Sequence, residues 1–232
     1  MNKIFQRASL IIGEDGINKL NSAKVAVFGI GGVGGYTCEA LVRSGVGHIT
    51  LVDKDVVEET NVNRQIVATS INFGEPKVIA AQKRFKAINP DVDINAVQMF
   101  YGADTKDEID LSGYDYVIDA IDSVPSKVEL IVNATALNIP VISCMGAGNK
   151  KDPTAFKVAD IYETNICPLA KIMRRELKLR GIPKCKVVFS TEQPVKPEHD
   201  ERGRAQIGSL ASVVSVAGMI MANEVILDLI KK

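Results

Sequence analysis

The sequence has no net charge and no paired-cysteine motif. Basic and acidic residues are equal in number, 28 of each among 232 residues, so the overall charge gives no argument for a nucleic-acid partner. The cysteines form no CxxC pair, which argues against a zinc knuckle or a thioredoxin-like redox motif. We therefore expect no bound zinc. We expect the four cysteines to be packed in the core as small apolar side chains: Cys38, Cys144, Cys167 and Cys185.

The sequence also has little that resembles a secretory signal. The N-terminal stretch MNKIFQRASLIIGEDG contains an apolar run that is too short for the hydrophobic region of a signal peptide. We therefore expect a cytoplasmic protein whose thiols stay reduced. Internal repeats and linker-like composition are lacking as well, and 232 residues are enough to bury a large core. These features predict a single domain over residues 1–232.

One long apolar run is present, at residues 207–230, and it is hydrophobic enough to raise the question of a membrane span. Two acids near its end, Glu224 and Asp228, argue against that interpretation. Small residues also recur along it at helical spacing, as on a face that packs closely: Ser209, Ser212 and Ser215. We expect a helix that is buried or lies in an interface, without membrane association.

Short runs rich in valine, isoleucine and aromatic residues alternate with stretches of helical periodicity. The predicted strands are residues 23–30, 48–53, 92–100, 114–121 and 140–146. The predicted helices between them are residues 35–45, 76–88 and 125–138. This repeated pattern predicts an α/β fold with a Rossmann-like, mainly parallel sheet and helices on both faces.

The last third of the chain departs from this alternation. Two predicted strands, residues 156–160 and 186–191, flank a basic stretch of helical periodicity. A polar loop at residues 196–206 then leads to the apolar C-terminal helix. We expect this C-terminal α+β portion to pack on the sheet as part of the same domain.

The run VAVFGIGGVGG at residues 25–35 has the glycine spacing of a dinucleotide-binding turn between a strand and a helix. Gly29 is expected to make the tight turn, Gly31 or Gly32 to let the backbone approach a phosphate, and Gly34 to let the helix pack on the strand. Asp53, at the end of the next strand, is placed to accept hydrogen bonds from ribose hydroxyls. The motif suits NAD, FAD and ATP equally well.

A second polar cluster favours ATP among these nucleotides. It follows the ends of predicted strands, where open α/β sheets bind ligands, and comprises Asp53, Asp55, Asn61, Asn63, Arg64, Gln65, Lys77 and Asp122. Arginine and lysine at this edge suit a triphosphate, and an acid among them suits magnesium. Taken singly, Arg64 and Lys77 could be solvated surface charges, Asp122 a helix N-cap and Asp119 a strand-end cap.

The motifs GIGGVGG, LVDKDVVEETNVNRQ, GEPK, INP and VIDAIDS occur in this order within residues 5–150. This part of the chain resembles the adenylating superfamily related to ubiquitin-activating enzymes. The resemblance implies that residues 1–150 bind ATP, with Asp53 and Asn61 at ribose or phosphate. It implies that Arg64 and Lys77 hold the triphosphate and that Asp122 holds Mg²⁺. Arg7 resembles an arginine that members lend to the partner subunit's site, which implies a homodimer.

The later segments GAGNKKDPT, VADIYETNICPLAKIMRRELKLRGI and VFSTEQP resemble one branch of that superfamily. This branch cyclises threonylcarbamoyladenosine next to the tRNA anticodon, by adenylating the threonyl carboxylate and closing a ring with release of AMP. The resemblance implies a tRNA partner, and residues 151–232 that face the substrate and pack in a dimer. Cys167 departs from the branch, whose members carry aspartate before PLA.

Two other functions stay open on the sequence. One is an adenylyltransferase for a small sulfur-carrier protein ending in Gly-Gly, against which the missing CxxC pairs weigh. The other is a nucleotide-binding scaffold for sulfur transfer. A sulfur-relay protein is a further potential partner. Cys144 and Cys167 are candidate thiol nucleophiles, although ring closure within the substrate needs no nucleophile from the protein.

Residues 171–186 contain seven basic residues and one acid, a local excess of positive charge on a neutral protein. Such a run is either a solvated helix face or a contact for tRNA phosphates. The candidate tRNA-binding residues are Lys171, Arg174, Arg175, Lys178 and Arg180.

Overall fold

The structure is a computed structural model that describes residues 2–200, 203 and 205–231. A seven-stranded sheet crosses the molecule in the order β3-β2-β1-β4-β5-β7-β6. Its strands are β1 Lys24–Phe28, β2 His48–Val52, β3 Asp93–Val97, β4 Tyr116–Asp119, β5 Val141–Cys144, β6 Phe156–Asp160 and β7 Lys186–Ser190. Within this sheet five neighbouring pairs are parallel, and the pair of β6 and β7 at the edge is antiparallel. The predicted α/β class and mainly parallel sheet are confirmed.

Six α-helices accompany this sheet in the described part of the chain: α1 Gln6–Ser22, α2 Gly34–Ser44, α3 Lys77–Ile88, α4 Val124–Ala136, α5 Pro168–Leu179 and α6 Ala211–Lys231. The helices predicted at 35–45, 76–88 and 125–138 are confirmed, and α5 is the basic helical stretch. Helix α1 was not predicted from the sequence; it is kinked at Gly13, where φ is +75°.

The polar loop at residues 196–206 contains two short strands that pair antiparallel, β8 Glu198–His199 and β9 Ala205–Gln206. Three of its residues, Glu201, Arg202 and Arg204, lie outside the described residues. The apolar run begins its helix at Ala211 rather than at 207, so Ser209 precedes the helix.

Helix α6 is long and apolar enough to span a membrane by length and composition alone, and 44% of its most apolar 18-residue window is buried within the protein. Its buried side packs closely on α2 at Gly218, where a Cβ would lie 2.5 Å from the Val33 carbonyl oxygen. The Thr37 hydroxyl donates a hydrogen bond to the Gly218 carbonyl (3.1 Å). The prediction of a close-packing serine face is therefore wrong: Ser212 is exposed, and glycine makes the close approach.

Polar contacts fix α6 to the N-terminal ends of two strands. Lys186, at the start of β7, donates to Asp228 (Nζ–Oδ2 2.6 Å) and to Glu224 (Nζ–Oε2 3.2 Å). The hydroxyl of Tyr116, at the start of β4, donates to the same Asp228 carboxylate (2.8 Å). Burial, together with this carboxylate, raises the pKa of Tyr116 and keeps the phenol protonated. The two acids noted in the apolar run therefore bind α6 to the sheet.

Candidate active site

A cavity of about 1000 Å³ opens at the carboxyl ends of the parallel strands. One wall is the loop between β1 and α2 together with the ends of β2 and β4. The other wall is formed by residues 144–150 from the end of β5 onwards, the start of α5, residues 194–197, Ile207 and Ser209. The cavity therefore lies where open α/β sheets bind their ligands, and both the first 150 residues and the later portion line it.

The glycine loop has the geometry predicted for it. Gly29 has φ +89°, and a Cβ at this position would lie 2.6 Å from the Ala120 carbonyl oxygen. At Gly34, in the first turn of α2, a Cβ would lie only 1.8 Å from the Gly29 carbonyl oxygen. Only glycine permits both the turn and this contact between loop and helix. Gly29, Gly31 and Gly32 line the cavity, whereas Gly34 supports the loop from within the helix.

Asp53 lies beside this loop at the end of β2. Its Oδ2 accepts a hydrogen bond from the backbone N–H of Ile30 (2.6 Å), and its Oδ1 accepts one from the N–H of Asp55 (2.8 Å). Burial raises the pKa of Asp53, and these two hydrogen bonds together with Lys77 oppose that shift. A carboxylate oxygen has more than one acceptor site, so Asp53 can hold the loop and still accept from a ribose hydroxyl in the cavity.

Two of the predicted cations reach the cavity together. Lys77, at the start of α3, is 6% exposed, and its ammonium pairs with Asp55 (Nζ–Oδ2 3.1 Å). Arg64 donates from Nη1 to the Thr60 carbonyl oxygen (2.7 Å) and to Asn63 Oδ1 (3.0 Å). All three of Arg64, Lys77 and Asp55 line the cavity. Lys77 is therefore not a solvated surface charge of the kind considered from the sequence, whereas Arg64 is half-buried and held by two hydrogen bonds.

Gln65 and Asn61 occupy different positions in the site. Gln65 lines the cavity and is 6% exposed, and its buried Oε1 has no hydrogen-bond partner within the described residues. An unsatisfied buried oxygen costs free energy unless a ligand supplies a donor. Asn61 instead accepts the backbone N–H of Glu58 in a capping arrangement (3.1 Å), so its carbonyl oxygen is engaged in the loop that carries Arg64.

Asp122 lies on the turn between β4 and α4, is exposed, and lines the cavity. Just before it, Asp119 is fully buried and pairs with Lys127 of α4 (Oδ2–Nζ 2.9 Å). Ser143 donates to the same Oδ2 (2.5 Å), and Lys127 also donates to the Ile121 carbonyl oxygen (3.1 Å). This buried ion pair fixes the backbone next to Asp122. Lys127 and Ser143 were not predicted as site residues; the one signal was a lysine near the start of a predicted helix that follows a strand.

The wall after β5 contains the two cysteines considered as nucleophiles. Cys144, at the end of β5, and Cys167, the residue before α5, both line the cavity and are both free thiols. Burial raises the pKa of Cys144 to about 12, so the thiol is protonated near neutral pH. All four cysteines are buried, as expected from the sequence.

The remaining predicted residues lie away from the cavity wall. Arg7 is exposed on α1. Four candidates for tRNA contact are exposed on α5 or directly after it: Lys171, Arg175, Lys178 and Arg180. The fifth, Arg174, donates to the Thr164 carbonyl oxygen (2.9 Å). Because Cys167, Pro168 and Leu169 line the cavity, the basic face of α5 begins at the cavity and runs away from it.

Comparisons with known proteins agree with this geometry. The ThiF family model matches residues 5–232 of the chain. The chain is 45% identical over 240 residues to a tRNA threonylcarbamoyladenosine dehydratase of Bacillus subtilis, covering 98% of this chain and 94% of that protein. A sulfur carrier protein adenylyltransferase of Thermus thermophilus is 37% identical over 131 residues, which are 56% of this chain and 48% of that protein.

Two solved structures of Escherichia coli tRNA N6-threonylcarbamoyladenosine dehydratase share the fold. The complex with AMP superposes with a TM-score of 0.91 at 36% identity, over 98% of this chain and 94% of that one. The complex with ATP gives a TM-score of 0.89 at 34% identity, over 98% and 93%. The similarity therefore extends through the C-terminal portion, whereas the similarity to the sulfur-carrier enzyme covers about half of the chain.

Proposed function

The chain belongs to the ThiF family, and we infer that it is an ATP-dependent enzyme that cyclises threonylcarbamoyladenosine in tRNA. One observation carries this inference: the cavity joins a nucleotide-binding glycine loop to a second wall built from residues after 143, and the dehydratases match both parts over nearly their full length. The sulfur-carrier adenylyltransferase, in contrast, matches about half of the chain.

The reaction has two steps. The threonyl carboxylate attacks the α-phosphorus of ATP, a new bond forms between the carboxylate oxygen and phosphorus, and pyrophosphate leaves. The neighbouring carbamoyl group then attacks the activated carbonyl, loses a proton, and expels AMP. Because nucleophile and electrophile of the second step belong to one molecule, the effective molarity is already high. We propose that the enzyme acts without a protein nucleophile, and the protonated, buried Cys144 is consistent with this.

The proposed roles of the cations follow from charge. Negative charge accumulates on the departing pyrophosphate, and fixed positive groups in a water-poor site stabilise it most. We assign this task to Lys77 and Arg64, which line the same cavity. Asp55, which pairs with Lys77, holds the ammonium in position when ATP is not bound. The N-terminus of α2 and the glycine loop are assigned to the phosphates nearest the ribose.

Magnesium fits the site as a partner of the ATP phosphates. Magnesium is commonly bound through one or two carboxylates plus substrate phosphates. In the described part of the chain no cluster of three or more potential metal ligands occurs, and Asp122 is an exposed carboxylate on the cavity wall that has no ion-pair partner among the described residues. We therefore assign Mg²⁺ to Asp122 together with ATP, where it would neutralise phosphate charge. The orphaned Gln65 oxygen is available to a ligand-bound donor in the same cavity.

We assign tRNA binding to the C-terminal portion of the chain, residues 151–232. Helix α5 starts at the cavity and presents exposed lysines and arginines along its length. These side chains can bind the phosphates on either side of the modified nucleotide. We propose that Lys171, Arg175 and Lys178 contact the tRNA, because their charge faces solvent. Arg174 has a structural role in the loop before the helix.

We further propose a cytoplasmic homodimer. The first half of α1 exposes two large apolar side chains, Leu10 at 75% and Ile11 at 85%, and Ile71 is exposed at 92%. Exposed apolar side chains of this size are typical of a contact surface, and a second copy of the chain is the proposed occupant. Arg7 lies on the same stretch of α1 and would thereby reach the site of the partner subunit.

The decisive experiment supplies both candidate substrates. The purified protein is incubated with ATP, Mg²⁺ and either tRNA that carries threonylcarbamoyladenosine, the same tRNA without the modification, or a sulfur-carrier protein. We expect pyrophosphate release and the loss of one water from the nucleoside mass with the modified tRNA only. Pyrophosphate release with the carrier protein and none with tRNA would overturn the proposed function in favour of carrier adenylation.

A further inference from the structure

Lys150 is a buried cation on the cavity wall that none of the roles above uses. It follows β5, is 4% exposed, and lines the cavity. Its Nζ donates one hydrogen bond, to the Glu192 carbonyl oxygen (2.8 Å). The other two buried lysines of the described chain both have carboxylate partners: Lys77 pairs with Asp55 and Lys127 with Asp119. Across residues 2–200, 203 and 205–231, no carboxylate pairs with Lys150.

Glu192, whose backbone carbonyl oxygen accepts from Lys150, forms no ion pair with it in the described structure, and its carboxylate binds the backbone instead. Glu192 Oε1 accepts the backbone N–H of Lys151 (3.0 Å), and Oε2 accepts that of Asp152 (2.9 Å). An ammonium has three donors, of which Lys150 uses one on a neutral carbonyl. A buried charge without a counter-ion is costly, so such an arrangement is expected where a ligand supplies the opposite charge.

The position of Lys150 indicates which negatively charged group of a ligand it would bind. The strand β5 lies two places from β1 in the sheet, with β4 between them. Neighbouring strands are about 4.8 Å apart, so the loop after β5 begins roughly 10 Å from the glycine loop. The proposed phosphate contacts, Arg64 and Lys77, belong to the segments after β2 and at the start of α3. Lys150 therefore stands on the wall across the cavity from the glycine loop.

That wall is fixed in place by the residue next to Lys150. The Asn149 backbone N–H donates to the Gly208 carbonyl oxygen (2.8 Å), and its side chain accepts the Gly208 N–H (2.7 Å). The Val195 N–H donates to the Asn149 carbonyl oxygen (2.7 Å). Three segments that are distant in sequence are thus joined around Lys150, and all three line the cavity. The ammonium is held at a fixed place, as a recognition group must be.

We propose that Lys150 binds the carboxylate of the threonylcarbamoyl group before that carboxylate is adenylated. The proposal rests on the proposed function and names the residue that recognises the reacting end of the tRNA substrate. The ion pair offsets the repulsion between the carboxylate and the triphosphate and holds the nucleophile near the α-phosphorus. The acyl-adenylate no longer carries the carboxylate charge, so the contact belongs to the substrate complex and selects modified tRNA over unmodified tRNA.

The test is equilibrium binding of tRNA without ATP, which separates recognition from turnover. Affinities for tRNA with threonylcarbamoyladenosine and for the same tRNA with adenosine are measured for the wild type, Lys150→Met and Lys151→Met. We expect the wild type to prefer the modified tRNA. Lys150→Met should weaken binding of modified tRNA by roughly ten- to a hundredfold, the effect of one charge-assisted hydrogen bond, and leave unmodified tRNA unchanged. The exposed neighbour Lys151 is the matched control and should keep the preference.

Two further measurements keep the outcome decisive. Lys150→Gln retains a donor for the Glu192 carbonyl oxygen without the charge, and it should lose the preference as Lys150→Met does. ATP affinity of both variants should equal that of the wild type. An equal loss for both tRNAs, a loss of ATP affinity, or a preference that survives in both variants would overturn the proposal alone. A wild type that shows no preference and releases no pyrophosphate with modified tRNA would overturn the proposed function together with it.

Discussion

At the scale of single residues, three buried lysines carry different parts of the site's electrostatics. Lys77 faces the cavity with a carboxylate beside it, and Lys150 faces it without a carboxylate partner among the residues that the structure describes. Lys127 is fully buried and is not part of the cavity wall. The Lys127–Asp119 pair is structural, because neither side chain is exposed and each has a further hydrogen-bond partner. Removing one member would leave the other as an uncompensated charge in the core.

We predict that Lys127→Met destabilises the protein by about 3–5 kcal/mol, the usual cost of breaking a buried ion pair. The measurement is chemical denaturation followed by circular dichroism. The control is Lys106→Met, which removes a partly exposed partner of Glu129 on the same helix and should leave the denaturation midpoint nearly unchanged. A Lys127 variant as stable as the wild type would show that the pair does not hold the turn that carries Asp122.

The buried lysines are also the site residues that could not be predicted from the sequence. The glycines, Asp53, Arg64, Lys77 and Asp122 follow motifs whose spacing can be read directly, and nearly all of them line one cavity. Lys127 and Lys150 belong to no such pattern. A lone lysine in a helix or loop is usually solvated, and only the tertiary packing buries these two.

At the scale of elements, the junction of β1, the glycine loop and α2 is the most tightly determined part of the fold. We predict that Gly34→Ala weakens ATP binding by roughly ten- to a hundredfold, because the new Cβ would overlap the Gly29 carbonyl oxygen and force loop and helix apart. Equilibrium titration with ATP measures this effect. Gly113→Ala, where a Cβ meets nothing within 4 Å, should bind ATP as the wild type does. Unaltered ATP binding by Gly34→Ala would contradict the close packing of this junction.

Helix α5 is the element whose charge separates tRNA binding from ATP binding. We predict that the double variant Lys171→Glu/Lys178→Glu binds tRNA more weakly and lowers the slope of log affinity against log salt by about 1.4–1.8, from 0.7–0.9 per phosphate contact. Its ATP affinity should not change, since neither side chain lines the cavity. Lys86→Glu, on the exposed end of α3, is the charge control and changes the net charge by half as much as the double variant. A loss of tRNA affinity with that control that is half of the double variant's loss in free energy would mean that only the net charge matters.

The existence of most elements could be predicted, because the strands are apolar runs and the helices have clear periodicity. Two features could not. Helix α1 contains glycines and few apolar positions, and packing rather than its own periodicity stabilises it; Gly16, Ile17 and Leu20 are its buried residues. On α6 the spacing of the serines predicted the face that packs closely. Gly218 makes the close contact instead, because the Val33 carbonyl oxygen, just before α2, lies next to it.

At the scale of the whole molecule, the cavity is complete only where the two portions of the chain meet, and the proposed dimer would add a further cation to it. In a symmetric dimer, Arg7 of one subunit would serve the site of the other. Such an arrangement makes each site depend on residues of both subunits. It can be tested by mixing two inactive variants, Arg7→Ala and Lys77→Ala.

We predict that each variant alone is inactive and that the mixture recovers about a quarter of the wild-type activity. Random exchange makes half of the dimers mixed, and in each of these one of two sites combines an intact Lys77 with Arg7 of the partner subunit. Pyrophosphate release after subunit exchange, with sedimentation to verify the dimer, measures this. If Arg7 serves its own subunit, every site in a mixed dimer lacks one of the two cations, and the mixture stays inactive.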